Sequence, residues 1–292
     1  MKSILVQFDT DEQPSVFDRV VAVDAGVDEL FAYGGVTAET VESLVHGTIF
    51  TRGIADLSST AIFVGGSDVA AGERVFAAVQ SAFFGPMRVS VMMDANGSNT
   101  TAAAAVLRAR RHVSLSSSVA VVLGGTGPVG VRVAELLALE GTVVRVGSRS
   151  AERAGAACET IAGRLGADRL EGVTLEAVAT GDAESVSSAL SGASTVIAAG
   201  TTGVQLVSAE TLAAAKDILV AIDLNAVPPL GIEGVEMTDK AVEARGVVRY
   251  GAIGVGGTKM QIHTAALKRL FDSNDQVLDT EAIYRIGESL ES

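Results

Sequence analysis

Apolar positions along the chain keep two alternating rhythms. Short runs rich in Val, Ile, Leu and Phe occupy 4–8, 29–33, 61–64 and 89–93, and between them apolar residues recur at helical spacing over 14–24, 37–46, 68–83 and 100–111. In 68–83 the residues Val69, Val75, Phe76, Val79 and Phe83 form one stripe, the face a helix turns toward a core. Pro14 and Ser15 open the first helical stretch, with the proline in a first turn where its missing N–H costs little. The alternation continues beyond residue 118, with strands expected at 119–123, 142–146, 175–179, 194–199, 218–223 and 247–250 and helices between them. Further helices are expected at 260–270 and 281–290. Such alternation predicts an α/β chain with parallel sheets and right-handed crossovers.

One stretch gives the pattern a chemical meaning. The apolar run 119–123 enters Gly124-Gly125-Thr126-Gly127-Pro128-Val129-Gly130, a helical pattern follows through Val131, Val133, Leu136, Leu137 and Leu139, and a second strand is expected at 142–146. This is GxGxxG in the strand–turn–helix setting that binds a dinucleotide, with Gly125, Gly127 and Gly130 at the three glycine positions. Phosphates would sit on the helix N-terminus, where unpaired N–H groups and the helix dipole favour negative charge. Thr126, Pro128 and Val129 complete the turn. After the second strand the chain reads Gly147-Ser148-Arg149-Ser150, where NAD-binding domains commonly carry an acid for the ribose hydroxyls. Without that acid, Arg149 can clamp a 2′-phosphate while Ser148 and Ser150 donate hydroxyls, so the expected cofactor is NADP. The competing reading makes Ser150 the N-cap of the following helix and leaves Arg149 solvated.

The expected architecture is therefore a Rossmann-type doubly wound parallel sheet at 113–264 and a smaller N-terminal α/β domain at 1–112, with a cleft between them. The serine-rich segment 113–118 marks the boundary, and 265–292 is free to pack back on the first domain.

Composition narrows the partners. Among 292 residues, 48% are hydrophobic and 32 are glycine, which suits helices packed on buried parallel sheets. The net charge of −13 argues against nucleic acid, and the basic cluster Arg108, Arg110, Arg111 and His112 reads as a helix end. Cys158 is the only cysteine, so no disulfide closes within the chain, a reducing cytoplasm is the expected compartment, and the thiol reads as a small buried hydrophobe. No apolar stretch is long enough to span a membrane, and acids soon interrupt the N-terminal apolar run, unlike a signal peptide. The three histidines, His46, His112 and His263, have no liganding spacing, so no metal site is expected, and His263 reads as packing or solvent-facing.

Polar clusters fall where ligands of open α/β sheets bind, beyond the carboxyl ends of expected strands. They are Asp9-Thr10-Asp11, Gly65-Gly66-Ser67-Asp68 and Asp94 to Thr101 in the first domain. The second domain offers Gly200-Thr201-Thr202-Gly203 beside the cofactor, and a strand that ends in Asp223-Leu224-Asn225 before paired prolines. Taken singly, each has a structural reading as a helix cap or turn; their agreement in placement points to a substrate cleft. The glycine-rich 251–257 delivers Thr258 and Lys259 to an expected helix start, where the dipole does not favour a lysine.

These motifs together resemble those of the NADP-dependent methylene-tetrahydromethanopterin and methylene-tetrahydrofolate dehydrogenases of bacterial one-carbon metabolism. The matching segments are QFDTDEQPSVFD at 7–18, GTIFTRG at 47–53, STAIFVGGSDVAAGERVF at 59–76, FFGPMRVSVMMDANGSNTTAAAA at 83–105, VVLGGTGPVG at 121–130, NAVPPLGI at 225–232 and GAIGVGGTKMQIH at 251–263. The resemblance implies hydride transfer from a methylene-tetrahydropterin to NADP+, giving the methenyl-pterin and NADPH. It implies Lys259 as the residue that orients or polarises the pterin, and Asp9, Phe17, Asn96, Ser98 and Thr100 as pterin contacts. Asp94, and secondarily Asp223, would stabilise positive charge that develops on the pterin. Gly200, Thr201 and Asn225 join the glycine turn around the cofactor, and a homo-oligomer is expected. Two other readings stay open at the level of sequence: a dehydrogenase of another small substrate, and a non-enzymatic NADP sensor.

Overall fold

The computed structural model describes residues 1–291. The chain forms two compact units, one built from Met1–Thr100 together with the chain from Met260 onward, the other from Thr101–Lys259. In the first unit, β1 (Ile4–Asp9), α1 (Val16–Asp24), β2 (Glu29–Tyr33), α2 (Val41–Ile49), β3 (Thr60–Gly65), α3 (Val69–Ser81) and β4 (Ser90–Met93) alternate as the apolar rhythm predicts. Helix α4 (Ser98–Arg110) then carries the chain into the second unit.

The second unit continues with β5 (Val119–Leu123), α5 (Pro128–Leu139), β6 (Val143–Ser148), α6 (Ala151–Leu165), β7 (Leu175–Ala179), α7 (Ala183–Leu190), β8 (Thr195–Ala198), α8 (Ala209–Ala214), β9 (Val220–Asp223), β10 (Lys240–Ala244) and β11 (Val247–Tyr250). Helix α9 (Ala252–Arg269) returns the chain to the first unit, where β12 (Val277–Leu278) and α10 (Thr280–Ser289) follow.

Each unit holds one sheet. In the first the order is β12-β4-β3-β1-β2 with every pairing parallel, so the strand order reverses between β1 and β3. The β2-β1-β3-β4 core is the flavodoxin-like order, and a fifth strand is recruited from the far end of the chain. In the second the order is β10-β11-β9-β8-β5-β6-β7, and only β10 runs antiparallel. Counting β5 as its first strand, this is the 3-2-1-4-5-6 Rossmann order with one added edge strand.

The cores follow from parallel sheets whose two faces are both covered. Val6, Phe8, Ile62 and Val64 of the first sheet pack with Val41 and Ile49 of α2 and Val75 and Val79 of α3. In the second sheet, Val121, Val196 and Ala221 pack with Val186 and Leu190 of α7. Full burial of each such Val, Leu or Ile is worth about 1.5–3 kcal/mol against exposure.

Five details depart from the sequence expectation. Pro14 lies outside α1: Ser15 is the N-cap, its Oγ accepting from Asp18 N at 3.3 Å. The second helix begins at Val41, because Thr37 to Thr40 form a turn held by Thr37 N donating to Thr40 Oγ1. The exposed strand β10 was not anticipated; its residues are nearly all exposed, so no apolar alternation announces it. The glycine-rich stretch before Lys259 is helical, which places Lys259 about two turns inside α9 and not at its start. Cys158 is half-buried and not fully enclosed, and burial raises its thiol pKa above the ordinary 9.0. Among the described residues, no helix is long and apolar enough to cross a membrane.

Candidate functional site

The glycine turn of the second unit is built by close approach. Gly125 N donates to Gly147 O at 2.9 Å, and a Cβ at Gly125 would stand 2.7 Å from Val146 Cγ1, so only glycine lets the turn lie against β6. At Gly130 a Cβ would overlap the Gly124 carbonyl, and at Gly124 it would overlap Gly200, which brings the end of β8 against the turn. Gly127 differs. It is the N-cap of α5, and a Cβ there would meet nothing nearer than Gly124 O at 3.4 Å and Ala199 O at 3.7 Å. The side of the turn facing the helix N-terminus is therefore open, with Pro128 at the first helical position, where no N–H is lost to the ladder. Thr126 and Val129 are half-buried around it, and Thr201 is exposed next to Gly200.

After β6 both sequence readings of 148–150 are realised. Ser150 caps α6, its Oγ accepting from Arg153 N at 3.3 Å, and Ser148 Oγ accepts from Ser150 N at 3.4 Å. Arg149 is exposed, and among the described residues its guanidinium makes no hydrogen bond or ion pair. A cation without an internal partner follows the second strand, as a 2′-phosphate requires. An open glycine turn at a helix N-terminus and a neighbouring unengaged arginine fit NADP.

The loop after β9 is self-contained. Asp223 is buried, with Oδ1 accepting from Asn225 N at 3.0 Å and Oδ2 from Ile232 N at 2.9 Å. Burial pushes its carboxyl pKa up, and these N–H donors oppose the shift. Asn225 turns into the same loop, with Nδ2 donating to Pro229 O at 3.1 Å and Oδ1 accepting from Val227 N at 3.1 Å. The Pro228–Pro229 bond is cis. Asp223 thus holds a loop in shape.

In the first unit the polar clusters gather beyond the carboxyl ends of β1, β3 and β4, where the strand order reverses. Asp9 is fully buried and accepts from Gln7 Nε2, Asp11 N and Ser15 N, so it shapes the loop leading into α1. Asp11 in turn accepts from Ser67 N at 3.0 Å and Ser67 Oγ at 2.8 Å, tying the β1 and β3 loops together. Asp94, also fully buried, caps the start of α4: Oδ1 accepts from Asn99 N and Thr100 N, and Oδ2 from Thr100 Oγ1 at 2.6 Å. Asn96 takes the left-handed conformation, φ 53°, in the short turn between them. Ser98 is buried and donates to Ala95 O at 2.8 Å.

His263, expected at packing or in solvent, is fully buried beside these groups. Its Nδ1 lies 3.9 Å from Asp94 Oδ2. Its ring stacks on Phe63 with centroids 5.7 Å apart and planes at 20°, and tilts against Phe17 at 6.2 Å and 40°. Phe63 is buried while Phe17 is 49% exposed, so a ladder of three rings runs from the core to a half-exposed ring. The spacing of His263 four residues after Lys259 was the available signal, since i and i+4 share a helix face. Lys259 is half-buried on that helix. At Gly256 and Gly257, one turn earlier, nothing lies within 4 Å of where a Cβ would be. Asp94 and His263 are brought together by the fold; Asp9 is held apart from them in its own network.

Comparison with known proteins places the chain. Residues 16–96 match the family model described as methylene-tetrahydromethanopterin dehydrogenase, N-terminal. The chain is 46% identical over 291 residues to a protein named bifunctional protein MdtA from Methylorubrum extorquens, with 99% of each covered. It is 33% identical over 296 residues to the NAD(P)-dependent methylenetetrahydromethanopterin dehydrogenase of the same organism, with 98% of each covered. Among solved structures, the ligand-free 5-ketofructose reductase of Gluconobacter sp. strain CHM43 aligns over 99% of both chains with a TM-score of 0.51 and 16% identity, a likeness of fold alone. On the strength of the full-length relatives, the chain belongs to the methylene-tetrahydromethanopterin dehydrogenase family.

Proposed function

We propose that the protein is an NADP-dependent dehydrogenase that oxidises a methylene-tetrahydropterin to the methenyl-pterin in one-carbon metabolism. The observation that carries this reading is the match, over nearly the whole chain, to an NAD(P)-dependent methylenetetrahydromethanopterin dehydrogenase. The unengaged Arg149, where NAD-binding domains commonly carry an acid, favours NADP over NAD.

Bound NADP would supply the hydride acceptor at its nicotinamide. The rest of the work falls to side chains. Loss of hydride from a carbon between two nitrogens leaves a delocalised cation on the pterin, so no metal and no strong base are needed, and positioning dominates. Phe17 offers the exposed end of the ring ladder to a planar pterin, backed by His263 and Phe63. Asp94 places negative charge at the same end of the sheet, and Lys259 orients the pterin from α9. Asn96, Ser98 and Thr100 shape the turn that presents Asp94. Asp9 acts through the loop that sets the start of α1 and hence Phe17.

Tetrahydromethanopterin is the leading pterin carrier, with tetrahydrofolate as a second, and a cytoplasmic homo-oligomer is part of the same proposal. The test is direct. Purified protein mixed with NADP+ and each methylene-pterin is followed for NADPH; formation with either supports the reading. No turnover with both, by folded protein that binds NADP, overturns it. Lys259→Met is expected to lower turnover about 10²-fold, in the range for removing one preorganised polar group, while NADP affinity holds. Normal turnover in that variant removes Lys259 from the mechanism.

A further inference from the structure

We propose that the second unit carries another binding site, for a small organic anion with a short apolar body, in the cavity bordered by α8 and the β10–β11 turn. The cavity measures about 510 Å3, within the size range of small-molecule pockets. It lies at the start of β9 and β11, marked by Ile218, Leu219 and Val247, the opposite end of those parallel strands from Asp223 and Tyr250. Ligands of the glycine turn bind at the carboxyl ends, so this cavity is not an extension of the nucleotide site.

Its chemistry sets it apart. Three cations line it, Lys216, Arg245 and Arg249, against one acid, Glu233. Glu233 is engaged elsewhere through Oε2, which accepts from Ala209 N at 2.8 Å and from Gln205 Nε2 at 3.5 Å. Arg249 Nη1 donates to Gly234 O at 2.6 Å and Lys216 Nζ to Ala213 O at 2.8 Å, both neutral carbonyls. Arg245 stands exposed in the turn at φ 55°. Among the described residues none of the three meets a carboxylate. In a chain of net charge −13, with acids in excess, three cations against one acid around one cavity, none of them in an ion pair, form a local excess of positive charge. Buried Leu212, Ile218 and Val247 add the apolar lining. Cations at the rim and an apolar wall together select a carboxylate or phosphate attached to a few carbons.

The experiment uses inorganic phosphate and citrate as probes at constant ionic strength, in an Arg149→Ala background that weakens anion binding at the nucleotide turn. Amide shifts of Gly234 and Gly246 are followed by NMR. Saturating shifts with either probe, weakened about tenfold or abolished by Lys216→Glu with Arg245→Glu, support the site, and the probe that binds tells phosphate from carboxylate chemistry. Both replaced side chains are exposed, so the fold is retained, and dehydrogenase turnover of the double variant in the Arg149 wild-type background is expected to match the parent. Shifts that fail to saturate with both probes, or that survive the charge reversal unchanged, overturn it.

Discussion

Arg149 and Ser150 divide one short loop between two tasks. Ser150 spends its oxygen on the cap of α6, which fixes the backbone that carries Arg149, and the exposed Arg149 guanidinium has no hydrogen bond or ion pair among the described residues. Arg149→Ala is expected to lower kcat/KM for NADP by about 10- to 100-fold, as for loss of one charged hydrogen-bonded contact, with NAD nearly unaffected. Steady-state kinetics with both cofactors check it; an unchanged ratio removes the 2′-phosphate role. His112 gives a second test at this scale. Its Nε2 lies 2.8 Å from Tyr250 Oη, and partial burial, then Arg111 and Arg108, hold its pKa below the ordinary 6.5. The folded state therefore favours the neutral ring, a contribution present above pH 6.5 and lost as pH falls through the depressed pKa. Imidazole NMR titration is expected to show a midpoint below 6.5, and Arg111→Ala to move it upward. Single residues were legible where local chain geometry decides their role. The glycine turn and the bare arginine announce themselves because strand, turn and helix are contiguous. Asp94 and His263 meet only after β4 and α9 have been placed by packing, so neither sequence neighbourhood names the other.

Helix α9 shows how an element can conceal itself. Gly254, Gly256 and Gly257 lower its intrinsic propensity by up to about 1 kcal/mol each against alanine, and a sequence reading takes them for a loop. Packing overrides the propensity at one of them: a Cβ at Gly254 would overlap the Asp239 carbonyl oxygen. Gly256 has no such reason, since the space beside it is open. Gly254→Ala is expected to destabilise by about 1–3 kcal/mol, the cost of overpacking, whereas Gly256→Ala is expected to raise the melting temperature of the ligand-free protein through helix propensity. If that open face serves the pterin, Gly256→Ala also raises its KM, and thermal unfolding alongside kinetics separates the two effects. The same logic explains β10, whose exposed residues carry no periodic signal, against the buried strands β3, β8 and β9, which were read within a residue or two.

At the scale of the molecule, the alternation of strands and helices made both parallel sheets readable, because every crossover in such a chain is long enough to contain its own helix. What local pattern could not show is that the first sheet is completed from the other end of the chain. β12 contributes only Val277 and Leu278, yet it pairs with Val91 and Met92, and Val91 N donates to Gln276 O at 2.8 Å. Ser90 Oγ donates to Ser273 O, and Thr280 Oγ1 to Asn99 Oδ1, fastening the same edge. This has a consequence for the order of assembly on the ribosome. The second unit is continuous and can fold as soon as its own residues have emerged, but the first must wait, with the apolar edge of β4 uncovered, until the chain beyond Met260 is made. A chain stopped at Leu270 is expected to aggregate through that edge while still carrying a cooperatively folded second unit, and light scattering with limited proteolysis would detect both. The two residues of β12 thus act as a timing device: the sheet that carries Asp94 is closed last, after the nucleotide-binding sheet has been synthesised.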